Sequence, residues 1–146
     1  MDTYSEIAAL NADYWLRVDQ RRDLPVAELY VEDGQFTAGA MALAGRPAIA
    51  EFFLHRNREQ LASGRRTRHL HVNLDVDPIS AERIVCRSTV MVFAGVGDPP
   101  LEAAGPSTIA DVEDVCVRRP GEPWRFESRR LTPVFVGAGA ASFVRS

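Results

Sequence analysis

Hydrophobic residues in the first part of the chain recur at the three- and four-residue spacing of an amphipathic helix. This spacing predicts a helix over about residues 5–21, with Ser5 as its N-cap. The apolar stripe consists of Ile7, Leu10, Tyr14, Trp15 and Val18. A short helix is predicted near residues 25–30, and Gly34 is predicted to end it before a short strand at residues 35–40.

A third helix is predicted over residues 47–63, opened by Pro47 and closed by Gly64. From residue 67 onward the apolar period changes to two, which is typical of β-strands. The predicted strands are residues 67–76, 83–93, 107–118 and 124–134.

The order of these elements predicts an α+β fold, with the helices on one face of an antiparallel sheet. The turns between the last four strands are short, which is typical of a meander. We expect one domain over residues 1–136, followed by a flexible tail at residues 137–146.

Composition and charge narrow the possible partners. The 146 residues carry a formal net charge of −3 and form no basic stripe, so we expect no nucleic-acid partner. No apolar run approaches the roughly 18 residues of a membrane span, and the N-terminus lacks the basic region of a secretory signal. We therefore expect a cytoplasmic protein in which Cys86 and Cys116 stay reduced, as small core or sheet residues.

The strand at residues 67–76 carries the most informative polar side chains. Strict alternation places His69, His71 and Asn73 on one face. The other face is apolar and holds Leu70, Val72, Leu74 and Val76. Either the helices cover the polar face, so that His69 lines a pocket and a second subunit covers the apolar face, or the histidines face water. The pattern leaves both arrangements open.

Two side chains of the first helix are further candidates. Asp19 follows Val18 at the edge of the apolar stripe, so it is either a surface charge or a carboxylate that faces a cavity. Taken alone, the pattern favours the surface. Tyr14 lies on the stripe and is either a core aromatic residue or a hydroxyl donor to a pocket.

Asp114 alternates in register with Val112 and Cys116, so it shares a face with apolar neighbours. An inward carboxylate needs a partner, and Arg87 or Arg130 could supply one. This pattern favours a structural ion pair over catalysis.

A metal site is a weaker hypothesis. It would use His69 and His71, with Asp19 or Glu113 as a third ligand. An alternate-residue pair of histidines without a clear carboxylate partner is a weak signal for a metal. We expect neither a metal nor a cofactor.

Local motifs between Tyr4 and Phe135 resemble the SnoaL-like branch of the nuclear-transport-factor-2-like superfamily. They are VDQRRD at 18–23, LYVEDG at 29–34, GRPAI at 45–49, RTRHL at 66–70, and EDV at 113–115 leading to PWRF at 123–126. The resemblance implies a cystatin-like α+β barrel, in which a cone-shaped, curved antiparallel sheet wraps around the helices and a ligand lies inside. It also implies a homodimer, or a higher oligomer, formed through the outer face of the sheet.

Individual relatives imply individual roles. Asp19 and His69 look like the helix acid and the early-sheet histidine of scytalone dehydratase. Tyr14 and Asp114 look like the tyrosine and the protonated acid of ketosteroid isomerase, although residues 37–38 hold no carboxylate at that family's base position.

Together these resemblances imply a cofactor-free lyase or isomerase, dehydratase- or cyclase-like, that acts on a small aromatic, polyketide-like or steroid-like substrate. His69 is the expected general base, because a histidine is suited to removing a proton next to a carbonyl near neutral pH. Asp19 is expected to orient His69, and Tyr14 to polarise a substrate oxygen. The expected substrate-binding residues are Trp15, Phe52, Phe53, His71, Asn73, Met91, Asp114 and Trp124.

The alternative is a non-catalytic ligand-binding or structural subunit. Residues 67–70 and 113–126 resemble the β subunits of ring-hydroxylating dioxygenases about equally well, and those subunits are structural.

Overall fold

A computed structural model describes residues 1–145 of the chain. Within them the helices are α1 (Thr3–Val18) and α2 (Arg46–Ser63). The strands are β1 (Tyr30–Ala38), β2 (Met41–Ala44), β3 (Arg65–Ser80), β4 (Arg83–Val96), β5 (Thr108–Val117) and β6 (Arg125–Val136). Short 3-10 helices lie at Val26–Leu29 and Ser142–Arg145.

Helix α1 begins and ends earlier than its spacing predicts. Asp2 is the N-cap rather than Ser5, because the Asp2 carboxylate accepts a 2.8 Å hydrogen bond from the backbone N–H of Ser5. A negative cap also interacts favourably with the helix dipole. The last helical residue is Val18, and Gln20 has a φ of 56°. Asp19 therefore lies just outside the helix, where its side chain reaches β3.

Strand β1 corrects the prediction at Gly34, which does not end an element but lies inside the strand. The register of β1 shifts between Tyr30 and Gln35, as in a β-bulge. A Cβ atom at Gly34 would lie 2.9 Å from the carbonyl oxygen of Val31. Gly34 thus permits a close backbone approach within a continuous strand.

The strands form one sheet in the order β2-β1-β6-β5-β4-β3. Strands β3 to β6 make the antiparallel meander that the sequence predicts, and the α+β class is confirmed. Strand β1, however, pairs with β6 in parallel, so the sheet is mixed rather than wholly antiparallel. Strands β2 and β3 form its edges and do not pair with each other, so the sheet is not closed.

Strand β3 changes face at Asn73, which corrects the predicted strict alternation. Asn73 has a φ of 57°, and the pairing with β4 shifts register between Val72 and Asp75. Leu70 is 42% exposed on the outer face, whereas Leu74 packs against the core. The bulge inserts one extra residue into β3, and this insertion moves the side chains that follow it to the opposite face of the sheet.

The helices pack on the inner face of the sheet around one hydrophobic core. Cys86 and Cys116 are buried in it as free thiols, as predicted. In the described part of the chain, no helix has the length and apolar character needed to cross a membrane.

Candidate functional site

A cavity of about 770 Å³ lies between the two helices and the inner face of the sheet. Its walls are mainly apolar, and three of the residues predicted to bind substrate line it: Trp15, Phe52 and Phe53. Phe143, from the C-terminal segment, also lines it and lies 5.9 Å from Phe52 between ring centroids. Cavities of this size and character bind small organic molecules.

Asp19 and His69 meet beside this cavity. His69 lines it, and Nδ1 of its ring lies 2.5 Å from Oδ1 of Asp19. The two side chains are only 9% and 5% exposed, respectively. Because α1 ends at Val18, the Asp19 carboxylate can turn to β3, where alternation points His69 inward.

Three donors surround the Asp19 carboxylate. The ring of His69 and the hydroxyl of Thr67 both donate to Oδ1, the latter over 2.9 Å, and the backbone N–H of His69 donates to Oδ2 over 2.8 Å. Burial alone would raise the pKa of Asp19, but these hydrogen bonds, together with the charge that His69 carries when protonated, outweigh it and hold the pKa below its usual range. Asp19 is therefore a carboxylate that fixes the orientation of the His69 ring.

The other nitrogen of His69, Nε2, forms no hydrogen bond with a described residue. The indole of Trp15 stacks on the imidazole, with ring centroids 4.5 Å apart and planes 10° from parallel. Burial lowers the pKa of His69, and the positive charges of Arg56 and Arg129 lower it further, against the opposing effect of Asp19. His69 is therefore neutral near pH 7, with Nε2 available to accept a proton.

Arg56 also lines the cavity, and the sequence prediction missed it as a site residue. Its guanidinium donates to the backbone carbonyl of Val18 over 2.7 Å and to the hydroxyl of Thr67 over 3.2 Å. Thr67 thus links Arg56 to Asp19. Arg56 follows Ile49 by seven residues, so helical spacing could have placed it on the inner face of α2. Strand alternation could likewise have placed Thr67 on the same face as His69, but neither pattern predicts the contact between Arg56 and Thr67.

Tyr14 lines the cavity too, and its hydroxyl lies 2.7 Å from that of Tyr30. Burial raises the pKa of Tyr14 to about 12, so its hydroxyl stays protonated. The Arg129 guanidinium lies 4.4 Å from the centroid of the Tyr14 ring. Tyr14, Tyr30 and Arg129 thus form a buried polar layer. Tyr14 belongs both to this layer and to the cavity wall.

Asp114 belongs to that layer. It is fully buried and accepts two hydrogen bonds from Arg129, at 2.9 and 3.0 Å, and Arg129 also donates to Asn11. Its partner is Arg129 rather than Arg87 or Arg130, because the register pairs Asp114 with Arg129 across β5 and β6. Asp114 does not line the cavity.

The remaining predicted binding residues also lie outside this cavity. His71 faces inward and hydrogen-bonds to the Ser88 hydroxyl at 2.7 Å, and burial and the charge of Arg129 lower its pKa to about 4. Asn73 is exposed at the bulge, and Met91 pairs with outward-facing Leu70. Trp124 lines a second cavity instead.

The alternative of a metal site depended on three converging ligands. His71 is bonded to Ser88, away from the Asp19–His69 pair. Among residues 1–145, no group of three His, Cys, Asp or Glu side chains is arranged to hold a metal ion.

Comparison with solved structures finds similar folds at low identity. ActVI-ORFA from Streptomyces coelicolor is 22% identical with a TM-score of 0.76, over 92% of this chain and 96% of that one. A candidate scytalone dehydratase from Novosphingobium aromaticivorans is 21% identical with a TM-score of 0.72, over 95% of both chains. A protein from Catenulispora acidiphila in complex with S-DNPA is 20% identical with a TM-score of 0.70, over 89% of this chain and 92% of that one.

Further matches are described as an NTF2-like protein and as a protein of cystatin-like fold, which confirms the predicted fold type. No curated protein matches the sequence significantly. The model of the SnoaL-like domain matches residues 1–130. The chain therefore belongs to the SnoaL-like domain family.

Proposed function

We propose that this protein is a cofactor-free lyase or isomerase, dehydratase- or cyclase-like, that acts on a small aromatic or polyketide-like molecule. The observation that carries the proposal is the Asp19–His69 pair, joined at 2.5 Å beside an apolar cavity. The similarity to ActVI-ORFA and to a candidate scytalone dehydratase supports the same class of chemistry.

The reaction begins when Nε2 of His69 removes a proton from the carbon next to a substrate carbonyl. The electron pair of the broken C–H bond moves onto the carbonyl oxygen and forms an enolate. In a dehydration, the enolate collapses, the bond to a β-hydroxyl breaks, and the imidazolium protonates the departing oxygen as water. Asp19 stabilises the imidazolium while it exists. Nothing is oxidised or reduced, so no redox cofactor is required.

The test is dehydration of 3-hydroxy-1-tetralone, a β-hydroxy ketone that aromatises to 1-naphthol and can be followed by absorbance. We expect His69→Asn to lower kcat/KM by about 10²- to 10⁴-fold, the range for a positioned acid–base group. Asp19→Asn should lower kcat/KM less, because His69 remains as the base. The variant loses only the negative charge that orients His69 and stabilises its imidazolium.

Asp23→Asn is the matched control for Asp19→Asn, since this carboxylate lies near the same end of α1 but is exposed and is not among the cavity-lining residues. It should leave turnover unchanged. If the His69→Asn protein kept the activity of the parent, the assignment of His69 as the general base would be wrong. Absence of turnover in the parent protein itself would favour the non-catalytic, ligand-binding role.

We also propose that the protein forms a homodimer through the outer face of the sheet. Leu70, Met91, Ile109 and Phe135 pair in turn across β3, β4, β5 and β6 and form one apolar row. Leu70 and Phe135 are 42% and 65% exposed. A contiguous apolar row of this kind on a sheet face favours a protein contact.

A further inference from the structure

Arg56 is a half-buried cation whose guanidinium has no direct carboxylate partner among residues 1–145. Within residues 1–145, no Asp or Glu oxygen lies within the 4.0 Å ion-pair distance of its guanidinium. An arginine carries five N–H donors, and Arg56 uses two of them, toward Val18 and Thr67. The remaining donors belong to a side chain that lines the cavity.

Removing a charge from water is unfavourable, and the nearby carboxylate of Asp19 offsets this cost only in part, because the net effect still lowers the pKa of Arg56. Burial lowers the pKa of Arg56 only to about 10, so the guanidinium is charged at neutral pH. Arg65 lines the same cavity, forms no ion pair with another residue of the 1–145 range, and donates to the carbonyl of Gly139 over 2.8 Å. The carboxylate of Glu59 is 70% exposed and lies 3.3 Å from His55. Among the residues that line the cavity, two arginines thus accompany one largely exposed carboxylate, Glu59, while the buried carboxylate of Asp19 lies behind Thr67.

The position of Arg56 relative to the Asp19–His69 pair limits what it can bind. Its guanidinium is bonded to Thr67, which is two residues from His69 on β3. Thr67 and Nδ1 of His69 bond the same oxygen of Asp19, so Arg56 lies on the Asp19 side of the imidazole rather than beside Nε2. This position suits a substituent away from the carbon at which His69 acts, rather than the enolate oxygen itself.

We propose that the ligand of this cavity is an organic acid, whose carboxylate binds Arg56 while its aromatic rings lie among Trp15, Phe52 and Phe53. The identification of this acid as a substrate rests on the function proposed above. The binding site itself does not, because an arginine fork binds a carboxylate whether or not His69 acts on the ligand.

The test is isothermal titration calorimetry with 1-naphthylacetic acid and its neutral amide, 1-naphthylacetamide, as matched probes. We expect the parent protein to bind the acid about 10- to 100-fold more tightly, as charge-assisted hydrogen bonds predict. Arg56→Gln should abolish this preference. Arg58→Gln, which removes an exposed charge from the same helix, should retain it.

Arg56 also holds Val18 and Thr67, so its removal could disturb the fold. Arg56→Lys keeps the positive charge and should therefore retain part of the preference for the acid. The comparison of the two probes on the parent protein does not depend on any variant, so it is unaffected by a change in the fold. His69→Asn should keep the preference for the acid, which separates this inference from the proposed reaction.

Equal binding of the two probes by the parent protein, or no detectable binding of the acid, would overturn the proposal. It would also be overturned if Arg56→Gln kept the preference for the acid but lost kcat on the neutral tetralone, since Arg56 would then act on the enolate. Loss of turnover in His69→Asn with the preference intact would support both proposals.

Discussion

At the scale of single residues, the position of Asp19 explains most of the site. It is the first residue after α1, so its carboxylate is free of the helix and accepts from the ring and the backbone of His69 together. Two contacts to one residue restrict the imidazole more than one would. This restriction leaves Nε2 as the nitrogen that we propose to act as the base.

The lowered pKa of His69 predicts the pH profile. The general base must be neutral, so kcat/KM should fall as pH drops through the pKa of His69, with a midpoint below the ordinary value of 6.5. Asp19→Asn removes the charge that raises this pKa, so the residual activity of the variant should decline at still lower pH. The measurement is the initial rate across a range of pH. A midpoint above 6.5 in the parent would contradict the prediction that burial and the nearby arginines lower the pKa of His69 more than Asp19 raises it.

Tyr14→Phe separates structure from catalysis. The change leaves the buried Tyr30 hydroxyl without its partner, which should reduce the free energy of unfolding by about 1–3 kcal/mol. Tyr4→Phe is the control, because Tyr4 is 53% exposed and should show no change. The predicted role of Tyr14 in polarising a substrate oxygen also requires a fall in kcat, and an unaltered kcat would leave Tyr14 with its structural role.

At the scale of elements, the inner faces of β5 and β6 are joined by the buried pair of Asp114 and Arg129. Both side chains are fully buried, and Arg129 packs over the ring of Tyr14. The pair therefore connects the sheet to α1, next to the wall of the cavity.

Asp114→Asn should lower the free energy of unfolding by about 3–5 kcal/mol, because it leaves the charge of Arg129 buried and unpaired. Glu127→Gln breaks the exposed ion pair with Arg83 and should cost less than about 1 kcal/mol. Urea denaturation measures both. If the two variants lost similar amounts of unfolding free energy, burial would not be what makes the Asp114–Arg129 pair important for stability.

Element boundaries also show where sequence patterns reach their limit. Gly34 and Asn73 both lie at register shifts within strands. Gly34 was predicted to end an element, because a glycine carries the same signal at a bulge as at a turn. Strict alternation predicts Leu74 on the same face as Leu70. Because of the bulge at Asn73, Leu74 instead packs against the core while Leu70 is exposed.

At the scale of the whole molecule, the outer face of the sheet is the expected dimer contact. Leu70→Arg should place a charge in the apolar row and yield a monomer by analytical ultracentrifugation, whereas the parent should sediment as a dimer. Ile79→Arg is the control, since Ile79 is 58% exposed near the far end of β3. A parent protein that sediments as a monomer would contradict the dimer.

Local patterns in the sequence determined the helices, the strand meander and the α+β class, because amphipathic periods depend only on near neighbours along the chain. Family motifs pointed to Asp19 and His69. The parallel pairing of β1 with β6 and the partner of Asp114 depended on register between distant segments, which no local period encodes. The contact of Arg56 with Thr67, and the absence of a direct ion pair between Arg56 and any carboxylate of residues 1–145, likewise arose only when α2 packed against β3. Tertiary structure alone decided these features, because each depends on side chains that are brought together by packing rather than by their spacing in the chain.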